Sequence, residues 1–311
     1  DADRVKTYTD AEGKAQSYTQ TALNVQTKGD INLKATQVDS AGSSYMAGEN
    51  INLTTVNTGF AENAVYSWSR KNKHSTTRSD TAEIGSSINS QGDNTLIAQN
   101  DINLRNVALN ADKGTLYAQA GNDINVTEGR QTHSDSSYTY TKKSGFLSSK
   151  SSESSNSRSS DTAQSSYLTG QQIIMDAGHN LRVQGSVVNA EQLAQMHAGN
   201  DVTITAAQNS EHNESYSQTK KSGLSFSLSS GIGYSKARAT SSGMGDATSA
   251  TASTVSGNKV AIASGRDTNV IGSQVIADTD IGMAAGRDIN ILAATNTNQS
   301  QSHYDSKSFG I

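Results

Sequence analysis

The chain has 311 residues, a formal net charge of −4, 33% hydrophobic residues and no cysteine. The lack of cysteine excludes disulfides, thiolate metal sites and cysteine nucleophiles. A charged fraction of only 17% argues against a charged disordered chain and against a basic surface for nucleic acid, so we predict no nucleic-acid partner. No stretch approaches the roughly 18 apolar residues of a spanning helix, and no apolar leader opens the sequence. Because the first residue is Asp1 rather than Met, we expect a segment of a longer protein.

A short phrase recurs along the chain: a small residue or Gly, a spacer, Asp or Asn, and then an apolar–polar–apolar triplet. Its eight copies contain Asp30, Asn50, Asp101, Asp123, Asn180, Asp201, Asp267 and Asp288, which pair at spacings of 20, 22, 21 and 21 residues. The alternation is typical of a half-buried strand, and each period contains three apolar clusters. We therefore predict an all-β fold, a right-handed parallel β-helix (a solenoid) with about 21 residues per coil.

The remaining residues of the phrase have structural roles in this interpretation. We expect the turn glycines to provide positive φ, and the Asp or Asn that follows to cap the turn with its own side chain. The absence of proline fits a chain of internal strands, because proline removes a ladder hydrogen bond. Asparagines at matching outward positions are predicted to stack as ladders between coils: Asn32, Asn52, Asn103, Asn125, Asn269 and Asn290.

A longer period lies above the short one. Superrepeats of two coils start near residues 30, 101, 180 and 267, and polar insertions follow them at about 57–88, 129–168, 207–255 and 295–311. We therefore predict that residues 1–311 form a single β-helix repeat segment with projecting β-hairpin or ribbon insertions. Residues 144–160 contain 10 serines in 17 positions, and we expect this part of the second insertion to be mobile.

Three insertions share the pattern Tyr-[Ser/Thr]-x-[Ser/Thr]-basic-Lys, and Tyr304-Asp-Ser-Lys307 is a degenerate fourth copy. Tyr66, Tyr138, Tyr216 and Tyr304 follow the second Asp or Asn of their superrepeat by 16, 15, 15 and 16 residues. The lysines could contact anionic lipid or lipopolysaccharide phosphates, or they could protect an exposed edge strand from aggregation. Neighbouring aromatic residues favour a contact role, because aromatic side chains favour the membrane–water boundary. The candidate membrane or partner contacts are Tyr66, Trp68, Lys71, Tyr138, Tyr140, Lys142, Lys143, Phe146, Tyr216, Lys220, Lys221, Leu224, Phe226 and Leu228.

No pattern in the sequence indicates a catalytic, cofactor or metal site. The Gly-x-Asp turns lack the double glycine and nine-residue period of calcium-binding β-rolls, and the six histidines follow no metal-ligand spacing. No Gly-x-Ser-x-Gly elbow has a plausible order of partners. His133 and His212 precede their insertion tyrosines at similar points and are expected in solvated loops. We therefore predict a non-enzymatic protein without a cofactor.

The coil phrase Ala-Gly-x-Asp-Ile-x-Leu and the Ser/Thr-rich stretches ending in Thr-Lys-Lys-Ser-Gly resemble the haemagglutinin repeats of two-partner-secreted exoproteins. The chain is most similar to the second haemagglutinin-repeat region of contact-dependent growth inhibition effectors (the CdiA family) and to the filamentous haemagglutinins. The resemblance runs from about Ala22 to the end. One copy of the phrase is unspecific, whereas eight copies with three matched insertions are specific.

The resemblance implies a protein of a Gram-negative bacterium, secreted or at the cell surface, and exported through a dedicated outer-membrane barrel. It also implies contact-dependent growth inhibition, with this region engaging the target-cell outer membrane, or a receptor there, to assist toxin delivery. The alternative is a passive filament shaft or an adhesin that binds host or bacterial surface glycans. A carbohydrate-active β-helix enzyme would need clustered acidic residues, whereas the outward strand positions are mostly Asn, Thr and Arg.

Overall fold

The computed structural model describes residues 4–9, 15–20, 23–69, 71–227 and 231–311, and the side chains of 23–66, 71–224 and 231–311. These residues contain no helix and form 27 β-strands, numbered here in chain order. Strands β1 (Arg4–Thr9) and β2 (Ala15–Gln20) form a separate antiparallel pair. The other strands form a three-faced solenoid and one antiparallel sheet.

The strands of the recurring Asp-Ile-Asn-Leu phrase form the first face of the solenoid, an eight-stranded parallel sheet. It contains β4 (Ile31–Lys34), β7 (Ile51–Thr54), β12 (Ile102–Arg105), β14 (Ile124–Thr127), β18 (Leu181–Gln184), β20 (Val202–Thr205), β24 (Thr268–Ile271) and β26 (Ile289–Leu292).

The second and third faces share a ten-stranded parallel sheet. Its strands are β3 (Leu23–Gln26), β5 (Gln37–Ser40), β6 (Ser44–Gly48), β10 (Ser87–Ser90), β11 (Asn94–Ala98), β13 (Ala108–Ala120), β17 (Tyr167–Ala177), β19 (Val187–Ala198), β23 (Thr254–Ser264) and β25 (Gln274–Ala285). The five longest strands run across both faces and shift register at the corner, as between Ala111 and Thr115 in β13. The parallel β-helix predicted from the short period is thus confirmed, and its right hand stays a prediction.

Inward side chains from all three faces fill one hydrophobic core. On the first face, Ile102 lies in register between Ile51 and Ile124, and all three side chains are 0% exposed. Leu109 and Leu168 stack in the same way on the second face. Burying one such side chain contributes about 1.5–3 kcal/mol, so the stacked columns hold the coils together.

The turn glycines between the third and first faces have a different role from the one expected. None of them has positive φ in the described residues. Instead, a Cβ at Gly178, Gly199, Gly265 or Gly286 would overlap the carbonyl oxygen of the turn residue one coil away. The prediction of positive φ was therefore wrong, and glycine is needed here because successive backbones approach closely.

The Asp and Asn side chains after these glycines join neighbouring coils. Asp101 Oδ1 accepts a hydrogen bond from the backbone N–H of Asp123 at 3.1 Å, and Asp123 Oδ1 accepts one from the N–H of Asn180 at 2.9 Å. They bridge to the next coil rather than capping their own turn. The asparagine ladders are confirmed, with Nδ2-to-Oδ1 distances of 3.0–3.1 Å between Asn32, Asn52, Asn103 and Asn125, and between Asn269 and Asn290.

The corner between the first and second faces has two alternating backbone arrangements. In one set of coils, a single residue with positive φ makes the corner: Ala35, Asn106, Gly185 and Gly272, at 47°, 51°, 53° and 57°. In the other coils the chain leaves the solenoid at this corner, after β7, β14, β20 and β26. The insertions therefore all start from the same edge of the solenoid.

The insertions combine into one seven-stranded antiparallel sheet, which we call the hairpin sheet. Its spatial order is that of the sequence: β8 (Val56–Ser69), β9 (Asn72–Ile84), β15 (Gly129–Gly145), β16 (Ser148–Gln164), β21 (Ala207–Ser227), β22 (Gly231–Thr251) and β27 (Thr297–Gly310). Three hairpins (β8–β9, β15–β16 and β21–β22) thus pair side by side, through β9 with β15 and β16 with β21. The longest strands have 21 residues, which corresponds to about 70 Å.

The serine-rich stretch 144–160 differs from the expectation of mobility. Most of it lies in β16, which pairs with β15 along one edge and with β21 along the other. Serine is a weak strand former, but a central strand satisfies its backbone groups on both sides. The ordering therefore comes from neighbours that lie far away in sequence.

Candidate functional site

The insertion tyrosines lie in two adjacent rows of the hairpin sheet. Tyr138 and Tyr216 both pair with Ser155, so they share a row. Tyr66 and Tyr304 lie at the two ends of the next row. Because successive residues of a strand face opposite sides, the two pairs lie on opposite faces. We call the side with Tyr138 face A and the side with Tyr66 face B; the spacings of 15 and 16 residues correspond to these two faces.

The tyrosines of face A make local hydrogen bonds within the sheet. The Tyr138 hydroxyl donates to Glu153 Oε1 at 3.1 Å, and partial burial together with this bond raises the pKa of Tyr138. The Tyr216 hydroxyl accepts a bond from Gln218 Nε2 at 2.8 Å. On face B, the ring of Tyr66 stacks on that of His74, with 6.2 Å between the ring centroids.

Basic side chains gather near the turn end of the hairpin sheet, in two adjacent rows. On face B, Lys143, Lys150 and Lys221 lie directly opposite one another on three neighbouring strands. On face A, the next row includes Lys142 and Lys220, on either side of a serine. We call these two rows the lysine band, which consists of Lys71, Lys142, Lys143, Lys150, Lys220, Lys221, Arg238 and Lys307.

The charge in this part of the molecule has one sign. The described parts of the stretches 69–72, 141–152, 219–239 and 306–311 contain nine of the 25 Lys and Arg residues of the chain and none of its 29 Asp and Glu residues. Among the described residues, no carboxylate forms an ion pair with Lys143, Lys150 or Lys221, whereas Lys307 lies 3.8 Å from Asp305. The lysine band is therefore a positive region in a chain of net negative charge.

Exposed apolar side chains lie beyond the lysine band, at the end of the same sheet. Leu147, Leu224, Tyr234 and Ile311 form a row joined by backbone hydrogen bonds and strand pairing, and they are 48%, 37%, 45% and 86% exposed. We call them the apolar row. Phe146 lies at the adjacent hairpin turn with 94% of its surface exposed. The turn end thus combines cations with uncovered apolar surface.

The structure brings most of the predicted contact residues together at this end. Lys142, Lys143, Lys220, Lys221 and Leu224 lie in the lysine band or the apolar row. Lys71, opposite Lys142, also belongs to the lysine band, whereas Tyr138, Tyr140 and Tyr216 lie nearer the solenoid and Phe146 lies at the turn. Tyr66 lies on face B, opposite to the face of Tyr138. The side chains of Trp68 and Phe226 are outside the described side chains, and Leu228 is outside the described residues.

Sequence reasoning missed several members of the lysine band and of the apolar row. They are Leu147, Lys150, Tyr234, Arg238, Lys307 and Ile311. Only Lys307 belongs to the Tyr…Lys-Lys pattern, in its degenerate fourth copy. The available signal was the absence of acidic residues from the four stretches that meet here.

Histidine–aspartate pairs join strands nearer the solenoid. His133 lies between Asp80 of the neighbouring hairpin and Asp135, which is 3.0 Å from Nε2. The hydrogen bond to Asp80 is the main cause that raises the pKa of His133, and the same bond lowers the pKa of Asp80. His212 pairs with Asp246 at 2.6 Å. Both histidines lie in strands, so the expectation of solvated loops was wrong.

Two kinds of feature are absent from the described residues. None of their elements is a helix long and apolar enough to cross a membrane. No group of three or more His, Asp or Glu side chains among them is arranged to hold a metal ion.

A coiled core of 20–22-residue repeats with regularly spaced hairpins defines a repeat-solenoid class of protein. The family model described as "Hemagglutinin repeat" matches residues 66–146 and 147–311, most of the chain. The chain therefore belongs to the hemagglutinin-repeat family, as the coil phrase and the insertions predicted.

Several curated relatives carry a similar region. The chain is 36% identical over 174 residues to the tRNA nuclease CdiA of Escherichia coli strain STEC_O31, covering 54% of this chain and 5% of the relative. It is 36% identical over 170 residues to the 16S rRNA endonuclease CdiA of Enterobacter cloacae, covering 52% and 5%. It is 27% identical over 287 residues to the tRNA nuclease CdiA-2 of Burkholderia pseudomallei, covering 90% and 9%.

The chain thus spans about a twentieth of the length of the first two relatives. No solved structure matches it.

Proposed function

We propose that this chain is a non-enzymatic segment of a contact-dependent growth inhibition exoprotein, secreted to the surface of a Gram-negative bacterium through a dedicated outer-membrane barrel. Its hairpin sheet engages the outer membrane of a target cell and assists delivery of a toxin carried elsewhere in the parent protein. The observation that carries the proposal is the turn end of the sheet, where the lysine band adjoins the apolar row.

The architecture supports a division of labour between solenoid and hairpins. The solenoid is filled by stacked apolar side chains and serves as a rigid shaft. Nuclease activity, in the names of the relatives, belongs to proteins of which this chain covers about 5%. The exposed hairpins hold the cations and apolar side chains that an outer membrane can bind.

The test uses a full-length exoprotein that carries this segment. Residues 138–155 and 216–242 are each replaced by Asn-Gly, which closes a two-residue hairpin. The flanking residues are already cross-strand partners, Ser137 with Asn156 and Ser215 with Gly243, so the shortened hairpins keep their register.

The expected result is a protein that still reaches the cell surface and attaches to target cells but no longer inhibits their growth. Surface display and attachment, measured on the same cells, are the controls. Growth inhibition at the level of the intact protein would contradict the proposal.

An adhesin is the second candidate, supported by one feature of the solenoid. Tyr45 and Tyr117 lie in one outward row of the third face, two strands apart, or about 10 Å. Such a spacing suits aromatic stacking on a glycan chain. Under this alternative, Tyr45→Ser with Tyr117→Ser abolishes binding to surface glycans, and shortening the hairpins leaves that binding intact.

A further inference from the structure

Three lysines of the hairpin sheet oppose one another without a counter-charge. Lys143, Lys150 and Lys221 share one row of face B, and neighbouring strands of a sheet lie about 4.8 Å apart. Like charges directly opposite destabilise a sheet. No described carboxylate forms an ion pair with them. The arrangement therefore favours a bound anion with more than one negative charge.

The surface next to these lysines is open. A shallow groove is lined by all three lysines together with Gly145 and Gly223. The row that contains the two glycines otherwise holds Ser148, Ser235 and Gly310, so no large side chain lies in this row beside the lysines. Small hydroxyl and glycine positions leave room for a tetrahedral anion to reach the ammonium groups.

Both faces of the sheet are positive at the same level. The row of Lys142, Lys220 and Arg238 on face A adjoins the lysine row of face B. The apolar row begins four residues beyond Lys220 along β21, at Leu224, which corresponds to about 13 Å. A sheet lying flat on a surface would use one face, whereas a sheet standing on end would use both.

We propose that the lysine band binds the phosphate groups of an anionic lipid surface, with the hairpin sheet standing on end and the apolar row below the level of the phosphates. This inference rests on the proposed function and names the ligand of the same site. Leu224 lies three residues beyond Lys221, or about 10 Å, which is the upper end of the 5–10 Å depth to which apolar side chains enter the boundary between headgroups and acyl chains. Charge complementarity selects phosphate, and the apolar row selects a lipid as its source.

The binding test uses the 311-residue chain with phosphatidylcholine vesicles that contain lipid A, a phosphorylated glycolipid. The variant is Lys143→Gln, Lys150→Gln and Lys221→Gln. The control is Lys28→Gln, Lys34→Gln and Lys113→Gln, three exposed lysines of the solenoid whose loss changes the net charge equally. Vesicle flotation measures binding, and circular dichroism checks that both variants fold.

We expect the intact chain to bind lipid A vesicles and not phosphatidylcholine alone. Each lysine near an anionic surface strengthens binding about fivefold, so the band variant should bind roughly 100-fold more weakly and the control variant nearly as well as the intact chain. An equal loss in both variants would overturn the inference, because net charge alone would then explain binding. The inference would also be overturned if soluble pyrophosphate or DNA displaced the chain from the vesicles as effectively as added lipid A does.

The orientation can be measured separately. Because the chain has no cysteine, a single introduced cysteine can be labelled at a chosen position. A polarity-sensitive fluorophore on Leu224→Cys should report an apolar environment when vesicles bind, and one on Thr95→Cys of the solenoid should not. A polar signal from both positions in the bound state would overturn the end-on geometry.

The two proposals fail in different ways. If shortening the hairpins abolishes growth inhibition while the Lys143, Lys150 and Lys221 variant binds vesicles normally, the proposed function stands and the phosphate inference falls. If vesicle binding depends on the lysines but shortened hairpins still deliver toxin, the proposed function falls.

Discussion

Single residues decide how closely neighbouring coils of the solenoid approach. Gly178, Gly199 and Gly265 lie in one column. At each of them, a carbonyl oxygen of the neighbouring turn occupies the position that a Cβ would need. The sequence has glycine at these turns, and we attributed it to a backbone conformation with positive φ. A single coil phrase contains no information about the coil below it, so the true cause required the structure.

We expect Gly199→Ala to lower the free energy of unfolding by about 1–3 kcal/mol, because the added methyl group forces two coils apart. Urea unfolding measures the change. Gly282→Ala is the matched control, since a Cβ there meets no atom within 4 Å, and it should change stability by less than about 0.5 kcal/mol. Equal effects of the two substitutions would contradict the close-approach explanation.

The His133 site predicts a pH dependence with a definite sign. Because hydrogen bonding to Asp80 raises the pKa of His133, its contribution to stability is complete below the ordinary value of about 6.5 and is lost as the pH rises through the folded value. The pKa of Asp80 is lowered, so its contribution to stability is lost only as the pH falls through the pKa of Asp80 in the folded state.

An NMR titration of the imidazole should therefore give a pKa for His133 above its ordinary value. In the His133→Gln variant, the loss of stability as the pH rises above about 6.5 should diminish. A His133 that titrates at or below the ordinary value would contradict this description of the site.

At the scale of the element, sequence signals separate the coil strands from the hairpin strands. The phrase around Ile102 and Leu104 predicted β12 because alternation and a fixed period both mark a buried strand. The pairing of β16 with β21 could not be predicted in the same way. Their Ser- and Thr-rich faces have no apolar stripe that fixes a register, and β16 contains no tyrosine that could mark its alignment with β21.

Shortening the third hairpin tests whether neighbours order the serine-rich strand. Replacing residues 216–242 with Asn-Gly removes the β21 partners of residues 148–155 and keeps those of residues 156–161. Amide hydrogen exchange should become faster in the first range and stay unchanged in the second, which serves as an internal control. Unchanged protection of residues 148–155 would show that β15 alone orders this strand.

At the scale of the whole molecule, the arrangement of charge matters more than its total. The net charge of −4 gave no sign of a basic surface, and low charge content argued against one for nucleic acid. Three insertions and β27, separated by whole coils, bring acid-free stretches to one end of a shared sheet. Local patterns predicted the lysine pairs, whereas their assembly into rows depends on pairing between distant hairpins.

The central claim is that separate hairpins form one sheet whose end holds opposed lysines, and a cross-link tests it most directly. In this cysteine-free chain, Lys150→Cys with Lys221→Cys joins cross-strand partners from two hairpins. Mild oxidation should produce an intramolecular disulfide, because opposed residues on one face meet its geometric limits. Lys150→Cys with Lys220→Cys, one residue out of register and on opposite faces, should stay reduced. A reduced first pair, or equal cross-linking of both pairs, would contradict the account.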